Sequence, residues 1–237
     1  MIAVIADDFT GAAEIGGIGL RHGLNVIIET EVIQKADADL LIIATDTRSL
    51  SDTDAAAVIK TITSQLMNLN PAFIYKKIDS VLRGNIAVEL FAQIEASSKK
   101  RALVIAANPI LNRIIREGIY FVNNIPLHLT DFSSDPEFPV YTSRVDEIVG
   151  KSRFEIYSGL HPNDEIPAGG LIIGDVTAVS DLAKWVSKID ENTLPAGASG
   201  FFDSILIERF NVSRHYKNSD EPFGDKVLCI LGSYYPK

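Results

Sequence analysis

An α/β fold with a mainly parallel sheet and helices on both faces, Rossmann-like in its layering, is predicted by three observations. Short runs of Val, Ile, Leu and Ala alternate with longer segments of helical periodicity. The strand-like runs are continuously apolar rather than alternating, as expected of strands covered on both sides. Polar residues gather where successive runs end, and in open α/β sheets ligands sit beyond the carboxyl ends of the strands.

The first strand, residues 2–6, leaves through Asp7-Asp8-Phe9-Thr10-Gly11-Ala12, where a Thr-Gly pair starts an Ala- and Ile-rich helix. Asp8 or Thr10 suits the N-cap, and the amides of Gly11 to Ala13 are expected to be free for an anion or a hydroxyl. Gly16, Gly17 and Gly19 are poor helix formers, so close packing of helix on sheet accounts for them, and Gly23 ends the helix. Residues 24–28 and 40–44 are the next strands, and Ser51-Asp52-Thr53-Asp54 opens a helix in the manner of a capping box. Residues 72–75 form a fourth strand running into Lys76-Lys77-Ile78-Asp79-Ser80-Val81-Leu82-Arg83-Gly84, with Lys76 expected to face solvent or to stand as a strand-end charge. The helix after it, 86–96, turns Ile86, Leu90, Phe91 and Ile94 to one buried face.

Residues 102–107 are a fifth strand ending in Asn108-Pro109, and 109–140 read as an excursion from the sheet. Within it, 118–127 form a β-hairpin, because Asn123-Asn124 tolerates the positive φ of a type I′ turn, and 130–140 form a loop. The alternation then resumes, with strands at 154–157 and 171–173, a helix at 180–188, and a strand-loop-helix junction at 194–201 whose helix reaches residue 210. Residues 211–225 are polar and read as a linker. Residues 226–237 read as the first strand of a further, truncated domain.

With 237 residues, 46% hydrophobic and 22% charged, the chain suits one large α/β domain or two small ones. A net charge of -9 argues against nucleic acid as a partner, whereas a small anion can bind wherever basic side chains gather. The single cysteine, Cys229, excludes an internal disulfide framework and a Cys-based zinc site, suits a reducing cytoplasm, and reads as core. No apolar stretch approaches the roughly 20 residues that span a bilayer, so a soluble, cytoplasmic chain away from membranes is expected. His22, His128, His161 and His215 lack metal-ligand spacing and read as surface or loop residues. No P-loop lysine, Gly-x-Gly-x-x-Gly or His-Glu-x-x-His occurs, so neither a nucleotide cradle nor a metal site is expected in this chain.

Four strand ends remain as the source of a site: Asp7, Asp8, Thr10 and Gly11; Asp46 and Arg48; Lys77, Asp79, Ser80 and Arg83; and Asn108, with Arg113 beyond it. The mixture suits a polyhydroxylated anion. Arginine grips a carboxylate with two parallel hydrogen bonds, lysine adds a point charge, and Asp or Asn accepts from hydroxyls. Arg83 also stands four residues after Asp79, so the two can pair with each other. The adjacent Asp7 and Asp8 lack the one-residue gap of a haloacid-dehalogenase phosphohydrolase.

These residues carry a resemblance. Ala6-Asp7-Asp8-Phe9-Thr10-Gly11-Ala12, Asp46-Thr47-Arg48, the segment from Lys76 to Gly84 and Asn108-Pro109 onward resemble the four-carbon acid sugar kinase family, whose members phosphorylate threonate, erythronate or 3-oxo-tetronate with ATP. The resemblance extends through Gly118 to Leu127, Asp131 to Pro139 and Gly197-Ala198-Ser199-Gly200-Phe201, and covers the family's N-terminal, sugar-acid-binding domain. It implies a sugar-acid-binding domain over 1–210, with Arg48, Lys77 and Arg83 on the carboxylate and Asp8, Asp46, Asp79 and Asn108 on the hydroxyls. It further implies Asp8 as the catalytic residue that orients or deprotonates the acceptor hydroxyl. ATP and Mg²⁺ are implied for the family but bound mainly by a C-terminal nucleotide-binding half, which a separate chain could supply. A sugar-acid-binding module or partner subunit without kinase activity of its own is the competing reading, and homo-oligomers are compatible with either. Ile78 and Val81 replace the family's usual Thr, Asn112 its Gly, and Glu117 its Asp, departures that bear on which sugar acid is taken.

Overall fold

The computed structural model describes residues 1–33, 37–150 and 153–210. The polar 211–225 stretch, the apolar 226–237 run and Cys229 lie outside the described residues. In chain order the elements are β1 (Ile2–Ala6), α1 (Phe9–Arg21), β2 (Val26–Glu29), β3 (Leu40–Ala44), α2 (Asp52–Asn68), β4 (Phe73–Lys77), α3 (Ile86–Ser97) and β5 (Arg101–Ile105). They continue with β6 (Arg113–Arg116), β7 (Ile119–Val122), β8 (Ile125–Pro126), α4 (Val145–Val149), β9 (Ile156–Leu160), β10 (Gly170–Gly174), α5 (Val179–Val186), β11 (Thr193–Gly197) and α6 (Ser199–Phe210).

Eight strands form one parallel sheet in the order β2-β3-β1-β4-β11-β5-β10-β9. Every residue of β1, β3, β4, β10 and β11 is buried, which the unbroken apolar runs of β1 and β3 foretell. The two faces are separated along β4 by simple alternation. Tyr75 packs on Phe201 and Phe202 of α6, while the neighbouring Lys76 reaches Glu89 of α3 on the opposite face. The α1 helix contacts α6, and α6 contacts α5; on the other face α2 and α3 pack together. Gly16 and Gly19 do what close packing requires: a Cβ would fall 2.9 Å from Ile28 at the first and 2.6 Å from Leu40 at the second. Gly17 meets nothing within 4 Å and has no such role.

The excursion is larger than a hairpin. The β6, β7 and β8 strands form a three-stranded antiparallel sheet, with Asn123 and Asn124 at φ 51 and 62 in the expected turn. Bridges from Ile115 to Val176 and from Ile119 to Arg144 tie this sheet to the rest of the fold. Residues 131–134 form a 3-10 turn rather than open loop. Two further expectations are corrected. Lys76 is fully buried beside Glu89 instead of facing solvent, and His22 is buried with Nε2 2.7 Å from Asp203 Oδ1 instead of lying at the surface. No helix among the described residues is long and apolar enough to cross a membrane.

Candidate functional site

The direction of the chain through the sheet reverses at β1 and β4. The connection leaving β1 leads to β2 and β3 on one side, and the one leaving β4 leads to β5 on the other. A reversal of this kind leaves a crevice beyond the carboxyl ends of the two strands. Asp7 and Asp8 leave β1 there, and Lys77 to Arg83 leave β4.

Arg48, from the loop after β3, joins the two strand ends. Its Nε donates to Asp7 Oδ2 at 2.8 Å, and its Nη2 stands 2.9 Å from Asp8 Oδ2 and 3.8 Å from Asp79 Oδ1. Burial works against the Arg48 charge, but the three carboxylates outweigh it and raise its pKa. Asp8 is the N-cap of α1: its Oδ1 accepts from the Gly11 amide at 2.7 Å, and the Ala12 amide donates to the Asp8 carbonyl. The amides expected to be free at Gly11 and Ala12 are therefore used within the protein. A Cβ at Gly11 would lie 2.7 Å from Asp8 Oδ1 and 3.1 Å from Lys77 Nζ, so this glycine lets the lysine approach the helix start. Lys77 Nζ donates to the Ile78 carbonyl at 3.0 Å and stands 3.4 Å from Glu14, whose other oxygen accepts from Ser199.

Arg83 grips Asp79 with Nε and Nη2, at 3.0 and 2.8 Å, and donates from Nη1 to Asp135 at 2.8 Å. The pair closes in a loop rather than a helical turn, since Leu82 between them has φ 67. Burial would raise the Asp79 pKa, but the hydrogen bonds and charge of Arg83, with the charge of Arg48, pull it down to about 2. Arg113 donates to the Ser80 hydroxyl and pairs with no carboxylate among the described residues. Tyr120 donates to the Ser80 carbonyl at 2.6 Å, and burial pushes its phenol well above the usual range, so it stays a neutral donor. The Phe132 ring centre lies 5.6 Å from the guanidinium carbon of Arg83 and 5.9 Å from that of Arg113. The backbones of Asn108 and Arg113 exchange two hydrogen bonds, at 2.9 and 3.1 Å.

Ten of the twelve expected residues thus belong to one connected set: Asp7, Asp8, Gly11, Arg48, Lys77, Asp79, Ser80, Arg83, Asn108 and Arg113. Thr10 and Asp46 stand apart. Both are exposed and have no hydrogen bond or ion pair to the set among the described residues, with Asp46 left-handed at φ 51. Two buried oxygens, Asp7 Oδ1 and Asn108 Oδ1, have no hydrogen-bond partner among the described residues. Glu14, Tyr120, Phe132 and Asp135 join the set without having been picked from the sequence. A separate groove of about 580 Å³ between α2 and α3 contains none of these residues. Among the described residues no group of three or more His, Cys, Asp or Glu is arranged to hold a metal ion.

In a parallel α/β domain, a switch-point crevice lined by paired arginines and aspartates lies where small ligands bind. Comparison with known proteins makes the assignment specific. Residues 2–205 match the family described as "Sugar-binding N-terminal domain", and the chain belongs to this family, the N-terminal domain of the four-carbon acid sugar kinases. It is 34% identical over 230 residues to the D-threonate kinase of Salmonella typhimurium, covering 89% of this chain and 54% of the relative. It is 32% identical over 154 residues to the D-erythronate kinase of Heliobacterium modesticaldum, 62% of this chain and 35% of the relative. The chain thus spans about half the length, or less, of these curated relatives. A crystal structure from Bordetella bronchiseptica, a domain-swapped dimer with bound citrate, matches at TM-score 0.73 and 25% identity over 86% of this chain and 56% of that one. A Haemophilus influenzae protein shares the fold at TM-score 0.79 and 18% identity, over 91% of this chain and 57% of that one.

Proposed function

We propose that this chain is the substrate-binding domain of an ATP-dependent kinase for a four-carbon sugar acid, and that it holds the acid in the β1/β4 crevice. One observation carries this reading: a guanidinium without a carboxylate partner, Arg113, belongs to the same connected set as two buried oxygens without donors, on Asp7 and Asn108. A sugar acid supplies what each lacks, a carboxylate for the first and hydroxyl hydrogens for the others. Arg48 and Arg83 then serve differently from the expectation that they bind the carboxylate directly. Both already hold aspartates, and they fix Asp7, Asp8 and Asp79 in place. Lys77 adds a buried positive charge at the mouth of α1.

In the proposed reaction Asp8 orients the acceptor hydroxyl. With the Gly11 amide on one oxygen and Arg48 on the other, it is a hydrogen-bond acceptor of fixed direction. The nucleotide and Mg²⁺ belong to the half of the kinase that this chain does not span, and phosphoryl transfer relies mainly on alignment and charge neutralisation. The composition and the single cysteine support a cytoplasmic location, and the domain-swapped Bordetella dimer supports self-association.

Calorimetric titration with D-threonate and D-erythronate tests the reading. Binding of at least one acid is expected, weakened at least tenfold in Arg113→Ala and in Asn108→Leu. No heat from any four-carbon sugar acid with a folded chain, or unchanged affinity in both variants, would overturn it.

A further inference from the structure

The two arginines flanking Phe132 are treated unequally by the protein, and only one of the carboxylates responsible comes from the excursion. Arg83 has Nε and Nη2 on Asp79 and Nη1 on Asp135, whereas Arg113 has only the Ser80 hydroxyl. Asp79 is buried and rigidly held, since its Oδ2 also accepts from the amides of Val81 and Arg83. Asp135 differs. It comes from the excursion, 52 residues along the chain from Arg83, and its carboxylate is anchored to its own turn through the Glu137 and Phe138 amides. A space of about 290 Å³ adjoins Arg83, lined also by Leu82, Phe138, Val140 and Tyr141. Arg83 thus has all three of its nitrogens on protein carboxylates, and the one not taken by Asp79 is held by Asp135.

We propose that Asp135 sets the charge of the ligand: by occupying Arg83 it leaves Arg113 as the one guanidinium open to a carboxylate, so the site selects monocarboxylates and excludes dicarboxylates of the same length. Resting on the sugar-acid reading above, this deepens it from a compound class to a rule on charge. A four-carbon acid bearing a carboxylate at each end would place its second carboxylate against Asp135, and like charges at a shared guanidinium repel. Removing the Asp135 charge turns Arg83 Nη1 into a second anion subsite. Selectivity is thus built from a repulsive group as well as an attractive one.

The test is calorimetric titration of the wild-type chain, Asp135→Asn and Asp135→Ser with D-threonate, a monoanion, and with tartrate, the dicarboxylate of the same carbon count, at fixed ionic strength. Asn and Ser both keep an oxygen for the turn amides, and thermal melting checks that each variant is folded. The expected result is that the threonate-to-tartrate affinity ratio falls by more than threefold in both variants, through tighter tartrate binding, and returns toward wild type when Arg83→Gln is added. A ratio that moves threefold or less, in a wild type that binds threonate, overturns the role of Asp135 and leaves the sugar-acid site standing. A folded wild type that binds neither acid overturns the sugar-acid reading, and this proposal with it.

Discussion

Gly84 positions Arg48 by having no side chain. Its φ of +92 is one that residues with a Cβ rarely adopt, and a Cβ there would lie 2.8 Å from Arg48 Cγ. Gly84→Ala should therefore both strain the loop, by about 1–3 kcal/mol, and push Arg48 away from Asp7 and Asp8. Urea unfolding would show the first effect and weaker sugar-acid binding the second; an alanine variant with unaltered binding would mean that Arg48 needs no exact placement. Asp79 gives a pH signature at the same scale. Its folded pKa of about 2 lies below the usual 3.8 of an aspartate, so its stabilisation is complete above about pH 5 and disappears as pH falls through about 2. That depression corresponds to an effect on the order of 2 kcal/mol, large because the carboxylate is buried. Asp79→Asn should lower the melting temperature at pH 7, and its deficit relative to wild type should shrink as the pH is lowered from about 5 to 2. A deficit constant across that range would show that Arg83 does not depress this carboxyl.

At the scale of elements, β4 and α3 share a charge pair that nothing in the local sequence announces. Lys76 Nζ lies 2.6 Å from Glu89 Oε2 with both side chains buried. Desolvation offsets much of what such a pair gains, while leaving one charge alone in the interior typically costs about 3–5 kcal/mol. The surroundings are incompletely satisfied: Glu89 Oε1, both amide atoms of Gln93 one turn later and Thr63 Oγ1 have no partner among the described residues. Lys76→Met alone should destabilise by about 3–5 kcal/mol, and Lys76→Met with Glu89→Leu should recover most of the loss. Chemical denaturation of the four members of that cycle would decide, and a double variant no better than the single one would mean that the pair is strongly net favourable. The strands themselves were legible because buried parallel strands read as unbroken apolar runs, as β3 shows from Leu40 to Ala44. The β6 strand was not, because Arg113-Ile-Ile-Arg116 is four residues bounded by charges and becomes a strand only by pairing with β7. Ser158 and Gly159 hid the end of β9, where Gly159 takes φ 73 and the register shifts.

Across the whole molecule, the site was legible as far as each component lies at a strand end and illegible where a distant segment folds over it. Asp8, Arg48 and Arg83 could be placed together from the parallel order alone, but Asp135 and Phe132 reach Arg83 only through the excursion, which local periodicity cannot position. The residues at 131–139 carried a clue in the family resemblance, without saying what they touch. This division has a dynamic consequence. The excursion is fastened to the rest of the fold by the Ile115–Val176 and Ile119–Arg144 bridges and, at the site, by Arg83 to Asp135, Arg113 to Ser80 and Tyr120 to the Ser80 carbonyl. Because the loop after β4 and the 131–135 turn hold each other through these side chains, a ligand seated on Arg113 stabilises both against local opening. Hydrogen exchange of the chain with and without saturating D-threonate should show protection rising together at residues 79–84 and 131–135, with little change in the already buried β3 and β10. Protection confined to 79–84 would mean that the excursion flanks the crevice without closing on its contents, and Asp135 would then have no route by which to sense the ligand's charge.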